Sequence, residues 1–223
     1  DGDFIKDLST LESEIILLHE RKPAIWNIDS FKKIKNSQSK ILRLQDLMNK
    51  QVELEILKIH KQIEDNLEKI KKISEFESFF SFEDETMWPI IKDEFIQMCS
   101  KYFREAIIRY KLSQMLFEKL NIKSLLILYP NAAEERVIIH VAHKFNIPGI
   151  VLQHGVPPHA KYYEKFLSLW YPSEQRHLIH AIWDKTEKKH LKTLGIKDEN
   201  LVLTGSHRLD LLLPIKNECK NND

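Results

Sequence analysis

The residues with the clearest chemical potential follow an apolar run in the second half of the chain. Gln153, His154 and Gly155 come directly after Gly149–Leu152 and precede two prolines, a composition typical of a rigid turn that presents side chains. Imidazole titrates near neutral pH, so His154 can take a proton from a sugar hydroxyl or hydrogen-bond a phosphate. Gly155 would let the backbone approach a ligand closely. The alternative is structural, with His154 bonding only a neighbouring loop.

A second polar cluster follows a later apolar run. Gly205 and Ser206 stand at a predicted strand-to-helix junction, with Arg208 and Asp210 just beyond. Backbone amides and an arginine at such a junction suit a phosphate or a carboxylate. Alternatively, Ser206 caps the next helix while Arg208 and Asp210 pair locally, and spacing alone favours neither interpretation.

Two further pairs have the spacing of a capping box, in which side chains satisfy the free amides at a helix start. Asn131 precedes Glu134 by three residues, and Asp184 precedes Glu187 by three. We expect capping to account for most of both pairs. Asn131, Glu134 and Arg136 remain candidate ligand contacts because they follow a predicted strand end.

The histidines and glycines elsewhere do not form a known metal or nucleotide motif. His140 with His143, and His177 with His180, have no matching HExxH or Cys/His set. The GxGxxG, GxxxxGK[ST] and GxSxG patterns are also missing from the sequence. We therefore predict no metal and no cofactor.

The elements that must position these residues alternate between strand and helix from residue 122 onward. Strands are predicted at 124–129, 149–153, 177–183 and 201–204, with helices at 132–145 and 185–194, and Gly195 is a natural left-handed helix end. This alternation predicts an α/β fold with a parallel sheet flanked by helices. Ligands of such sheets bind beyond the carboxyl ends of the strands, where the polar clusters fall.

The first half of the chain reads as long helices. Apolar residues recur every three or four positions over residues 52–73, which favours an amphipathic helix covering its own core over a partner-binding helix. Residues 23–28 are a weaker strand prediction, with Asp29 or Ser30 capping a following helix.

A second long helix should begin at Pro89, with Trp88 packed against its first turn. Its predicted apolar face comprises Ile91, Phe95, Met98, Tyr102, Ala106, Tyr110 and Leu116.

Composition narrows the functional classes. The 223 residues carry a formal net charge of +1, which removes the usual electrostatic basis for nucleic-acid binding. Two distant cysteines, Cys99 and Cys219, suggest a reducing compartment rather than a disulfide framework. The apolar runs are far shorter than the roughly 20 residues that span a bilayer. Because the chain starts at Asp1, we expect it to be a piece of a longer protein.

Four ordered segments carry a family resemblance: residues 150–155 (IVLQHG), 181–184 (AIWD), 194–196 (LGI) and 202–210 (VLTGSHRLD). The chain thereby resembles the GT-B glycosyltransferases and their UDP-N-acetylglucosamine 2-epimerase relatives, closest to the surface-polysaccharide enzymes of the capsule-synthesis and CDP-glycerol-polymerase kind. His207 stands where that family usually has proline. The resemblance covers residues 125–210 well, 88–120 loosely, and the first eighty residues hardly at all.

The resemblance implies a two-domain enzyme whose first domain holds a glycan or lipid-linked acceptor. A second domain, missing from this chain, would hold a nucleotide-activated sugar or CDP-glycerol, so the chain alone should be inactive. His154 would be the general base or acceptor-positioning group, and the cleft would contain Asn131, Glu134, Arg136, Gln153, Gly155, Gly205, Ser206, Arg208 and Asp210.

The same resemblance sets the expected domain bounds and location. Residues 1–87 would be a mainly helical region, 88–210 the Rossmann-like GT-B acceptor half, and 211–223 a linker or frayed tail. The protein would be cytoplasmic, at most peripheral at the inner membrane face. Two other functions stay open: a nucleotide-sugar 2-epimerase, and a non-catalytic interaction module that forms homo-oligomers through its N-terminal helices.

Overall fold

The computed structural model describes residues 14–18, 27–37, 39–83, 85–128, 130–155 and 175–206. The chain forms two compact units, Asp1–Leu120 and Asn121–Asp223. The domain bounds expected from the sequence instead assign the helix after Trp88 to the α/β domain. Those bounds remain a prediction. None of the helices in the described ranges combines the length and apolar composition needed to cross a bilayer.

The first unit opens with a short βαβ arrangement. Strand β1 (Ile16–Leu18) pairs in parallel with β2 (Lys40–Leu42), and helix α1 (Ile28–Asn36) lies between them in sequence. Asn27 caps α1, because its Oδ1 accepts from the Ser30 amide at 2.8 Å while Ser30 Oγ accepts from the Asn27 amide at 3.2 Å. The expected strand is therefore wrong at Ile28, which is helical, and the expected caps Asp29 and Ser30 are replaced by Asn27. Residues 23–26 lie outside the described ranges.

Two long helices form the body of this unit. Helix α2 (Lys50–Ile70) begins at the cap Asn49, whose side chain accepts from the Val52 amide at 3.0 Å. It packs against α4 (Trp88–Lys119), and Val52, Ile56 and Leu67 are buried. The predicted amphipathic helix over its own core is thus confirmed.

A short helix and a hairpin join these two helices. They are α3 (Ser74–Phe79) and the antiparallel strands β3 (Ser81–Phe82) and β4 (Glu85–Thr86). The rings of Phe76, Phe80 and Phe95 surround Trp88 at centroid distances of 5.5, 5.2 and 5.7 Å. The predicted packing of Trp88 at the start of α4 is confirmed.

The predicted apolar face of α4 is wrong in the middle of the helix. Met98 and Tyr102 are exposed, while Ile96 and Leu112, outside the predicted face, are buried. Leu116 of the predicted face is buried as expected. The side of α4 that faces α2 includes Ser100, which lies 3.0 Å from His60 Nε2. Met98 and Tyr102 are two positions from Ser100, roughly 200° around the helix, and so point away from α2.

The second unit is the predicted α/β arrangement. Its sheet has the order β5-β6-β7-β8, with every neighbouring pair parallel. The elements are β5 (Leu125–Ile127), α5 (Ala133–Lys144), β6 (Gly149–Leu152), β7 (Ile179–Ile182), α6 (Lys185–Thr193) and β8 (Leu201–Leu203). Gly195, with φ of 87°, ends α6 in the left-handed conformation predicted for it.

Both described helices of this unit cover one face of the sheet. Ile139 of α5 packs with Ile127 and Val151, and Leu191 of α6 packs with Ile182 and Leu201. Since the strands follow one another in sequence order, right-handed crossovers place the connecting helices on the same side. The register aligns Leu126, Ile150 and Ile179 in one row on the opposite face, and these three are exposed.

Gly149 is the position where this packing is tightest. A Cβ added there would lie 2.8 Å from Leu178 Cδ2 and 3.4 Å from Ile127 Cδ1. We expect Gly149→Val to lower the free energy of unfolding of the sheet by about 1–3 kcal/mol, because the branched side chain overpacks this contact. Hydrogen exchange of the β5 and β6 amides in urea measures the change.

Gly155→Val is the matched control, since an added Cβ there meets nothing within 4 Å. Equal loss of protection in the two variants would contradict the packing explanation.

Candidate functional site

The parallel sheet brings most of the predicted site residues to one edge. Asn131 follows β5, residues 153–155 follow β6, Asp184 follows β7 and residues 204–206 follow β8. Parallel strands end at the same edge, so these segments are neighbours although they are distant in sequence. Arg208 and Asp210 lie outside the described ranges, and their predicted roles stay predictions.

Gln153 holds the ends of two strands together. Its backbone amide donates to the Ala181 carbonyl at 3.0 Å, and its Oε1 accepts from the Trp183 amide at 2.6 Å. Its Nε2 donates to the Gly155 carbonyl at 3.0 Å. The side-chain amide thus extends the ladder between β6 and β7 beyond the strands and closes the turn that carries His154. His154 and Gly155 are exposed at this turn.

The segment after β8 is tied to β7 in the same way. The Thr204 amide donates to the Ile182 carbonyl at 2.9 Å, and Gly205 then adopts φ of 73°, a left-handed conformation that favours glycine. Ser206 is buried, and its Oγ has no hydrogen-bond partner among the described residues. This hydroxyl is a polar group aimed away from solvent at the predicted domain junction.

The capping box predicted for Asn131 and Glu134 is wrong. Helix α5 starts one residue later than that box requires, so its N-cap is Ala132, which has no side-chain oxygen to accept from the first turn. Asn131 Oδ1 instead accepts from Gln175 Nε2 at 3.4 Å. Glu134 is half-buried at the second helical position, and Arg136 is exposed. The N-cap residue of α5 therefore contributes no side-chain hydrogen bond, unlike Asp184 at the start of α6.

At α6 the predicted cap is confirmed, because Asp184 Oδ1 accepts from the Thr186 amide at 2.6 Å and the Glu187 amide at 2.9 Å. Glu187 is 2% exposed. Burial, and secondarily the charge of Asp184, raises the pKa of Glu187 from 4.5 to about 7. A carboxyl with this pKa can exchange a proton near neutral pH. The sequence marked Glu187 only as a capping partner, since its burial depends on the tertiary fold.

Gln175 was missed entirely by the sequence analysis. It is fully buried and donates from Nε2 to the Pro130 carbonyl at 2.6 Å, as well as to Asn131. Its own carbonyl accepts from His180 Nε2 at 3.1 Å. Gln175 therefore connects the segment after β5 to the buried His180 of β7. No local pattern distinguishes a glutamine that is buried in this way from one on the surface.

The histidines at positions 140, 143, 177 and 180 all make contacts within the protein. Burial is the largest cause lowering the pKa of His180, which fits a neutral ring within the sheet. The rings of His143 and His177 lie against each other with centroids 4.0 Å apart. Across the described ranges, no group of three or more His, Cys, Asp or Glu side chains is placed to hold a metal ion.

A separate groove of about 590 Å³ lies between α2 and α4, lined in part by His60, Glu64 and Ser100. Its composition matches that of a serine hydrolase triad, but its hydrogen bonds do not. His60 Nε2 lies 3.0 Å from both the carbonyl and the Oγ of Ser100, and Ser100 Oγ donates to Glu64 Oε1 at 3.0 Å. Because a carbonyl only accepts, Nε2 carries a proton and is not the base for Ser100. These residues tie the two helices together.

Known proteins offer no direct comparison for this chain. Scans against protein-family models, curated proteins and solved structures each find no match. The chemistry of the sheet edge and the ordered sequence segments that form it are therefore the basis for a functional proposal.

The raised pKa of Glu187 predicts a pH-dependent stability. A carboxyl with a folded pKa above its unfolded value stabilises the fold fully below pH 4.5, and this contribution is lost as pH rises towards about 7. Glu187→Gln should remove this loss of stability with rising pH and make the α/β unit roughly 1–3 kcal/mol more stable than the parent at pH 8. Urea unfolding between pH 4 and pH 8 measures it.

Glu199→Gln changes an exposed carboxyl of the same unit and should leave that loss in place. A parent protein whose stability does not fall between pH 4.5 and 7 would argue against a buried, protonated Glu187.

Proposed function

We propose that this chain is the acceptor-side domain of a nucleotide-sugar-dependent GT-B glycosyltransferase, or glycerophosphotransferase, of surface-polysaccharide biosynthesis. One observation carries the proposal. The Gln153-His154-Gly155 turn after β6 shares a sheet edge with the Thr204-Gly205-Ser206 turn after β8, in the chain order of the GT-B pattern. Enzymes built on open parallel sheets bind their ligands at this edge.

The chemistry of the edge fits a hydroxyl acceptor. Gln153 fixes the turn through three hydrogen bonds, which leaves the exposed His154 ring on a rigid support. An imidazole held in this way takes the proton of an attacking hydroxyl as the bond to the donor forms. In this proposal Gln153 is a positioning residue, because its amide groups are already bonded within the protein.

The phosphate of the donor would meet the other side of the edge. Gly205, Ser206, Arg208 and Asp210 would lie at the junction with a donor domain that binds a nucleotide-activated sugar or CDP-glycerol. The leaving phosphate would be stabilised by dipoles and cations, without a metal.

The acceptor in this proposal is a glycan, free or lipid-linked. A lipid-linked acceptor would bring the protein to the cytoplasmic face of the membrane as a peripheral enzyme. Recognition of the acceptor would then involve Asn131, Glu134 and Arg136 at the start of α5, beside the His154 turn.

The test compares two histidines at opposite ends of the sheet. His154→Ala should lower transfer by about 10²- to 10⁴-fold in the protein joined to its donor domain, since the general base is removed. His143→Ala, in the last turn of α5, should leave transfer unchanged within about twofold, as expected of a side chain distant from the reacting atoms.

A binding measurement on the chain itself separates acceptor from donor recognition. Isothermal titration with a lipid-linked disaccharide, nucleotide sugars and CDP-glycerol should show binding of the disaccharide alone. No binding of any of them, or equal effects of the two histidine variants, would overturn the proposal.

A further inference from the structure

The segment that joins α2 to α4 exposes large apolar side chains. Phe79, Phe82 and Ile90 have exposed fractions of 81%, 75% and 74%, and Met87 is also exposed. Burying such a side chain would stabilise a complex by about 1.5–3 kcal/mol relative to leaving it in water. Residues 74–90, called here the acidic hairpin, thus contain a group of exposed apolar residues of the kind that marks an interaction surface.

The support beneath these side chains is rigid. Phe80 stacks on Trp88 with ring centroids 5.2 Å apart, and both rings contact Phe95. The Met87 amide donates to the Phe80 carbonyl at 2.9 Å, which closes the hairpin. A surface held in this way loses little conformational entropy when it binds, so the exposed groups are pre-organised for a partner.

The negative charge of the acidic hairpin indicates the kind of partner that can bind it. Residues 74–90 contain five acidic residues and neither lysine nor arginine. Glu75, Glu77, Glu83 and Glu85 are all exposed. Such a surface repels nucleic acid and anionic lipid, and it is complementary to a basic segment that also carries apolar side chains.

Helix α1 is a basic segment that also carries exposed apolar side chains. Ile28 and Phe31 are exposed, and Lys32 and Lys35 lie on the same helix face, at the spacing i, i+3, i+4 and i+7. Ile34, outside that stripe, is buried and anchors the helix. The capping box of Asn27 and Ser30 fixes its first turn. The first unit therefore carries two surfaces that match each other in charge and in apolar character.

We propose that the acidic hairpin binds α1 of a second copy of this chain. Phe79, Phe82 and Ile90 would cover Ile28 and Phe31, while the glutamates would face Lys32 and Lys35. Each copy presents both surfaces, so association gives either a reciprocal dimer or a head-to-tail chain. The proposal involves only the first unit and is independent of the proposed transferase function.

Two variants remove one surface each. Phe79→Ser with Phe82→Ser removes the two most exposed apolar side chains of the hairpin, and Lys32→Glu with Lys35→Glu reverses the charge on the exposed face of α1. Sedimentation velocity over a range of concentrations should show association of the parent protein, weakened by salt because the charges are screened. Each variant should associate at least about tenfold more weakly than the parent.

Mixing the two variants tests whether the surfaces bind each other. The hairpin variant keeps an intact α1 and the α1 variant keeps an intact hairpin, so the 1:1 mixture should form a mixed complex more strongly than either variant associates alone. Glu83→Lys with Glu85→Lys should likewise restore association to the α1 variant by exchanging the charges.

Leu54→Ser with Leu57→Ser provides the control, since both leucines are exposed on α2 outside the two surfaces. It should associate like the parent, and circular dichroism should show native helix content in every variant tested. A parent protein that stays monomeric, a mixture without a mixed complex, or an α1 that binds anionic vesicles instead of the hairpin would overturn the proposal.

Discussion

Parallel pairing of β5, β6, β7 and β8 is the constraint on which the candidate site depends. Each strand is only three or four residues long, so the local pairing provides few hydrogen bonds. The bonds from Gln153 to Ala181 and Trp183, and from Thr204 to Ile182, continue the ladder past the strand ends. The same bonds that lengthen the sheet also immobilise the turns that carry His154 and Gly205. These hydrogen bonds thus stabilise the sheet and also hold the candidate site residues in place.

The two helices that start at this edge of the sheet differ in their N-terminal caps. Asp184 satisfies two amides of α6 and places a negative charge near Glu187, whose burial already disfavours ionisation. Helix α5 has no side-chain cap, and the nearby Asn131 is bonded to Gln175 instead. The first turn of α5 also carries acidic residues, Glu134 and Glu135. The two helix starts therefore differ in their capping residue, and the buried carboxyl with a raised pKa is found at α6.

In the first unit, the packing of α4 on α2 separates the buried apolar residues from the exposed ones. The hydrogen bonds of His60 to Ser100, and of Ser100 to Glu64, connect α2 to the side of α4 that faces it. The rings around Trp88 bury the inner aromatics of residues 74–90, while Phe79 and Phe82 stay outside. The exposed surface is consequently a result of packing and not of local sequence alone.

Local sequence patterns determined the existence and type of the main elements. Periodicity of three to four residues, the helix start near Pro89 and the helix end at Gly195 were sufficient for the long helices. The alternation of strand and helix and the cap at Asp184 were likewise predictable, because they depend on residues close together in sequence. The carboxyl-edge placement of Gln153, His154 and Gly205 followed from the alternation of strand and helix.

Only the tertiary structure decided the features that depend on distant contacts. The burial of Gln175 and Glu187, the partner of Asn131 and the solvent-facing position of Met98 each rely on residues far away in the chain. The sequence does not indicate whether a polar residue will be buried beside a hydrogen-bonding partner. A helix with apolar residues on all sides has no unique inner face that its sequence could predict. The packing of one element on another supplied that information, because burial and charge are properties of the assembled neighbourhood and not of the residue.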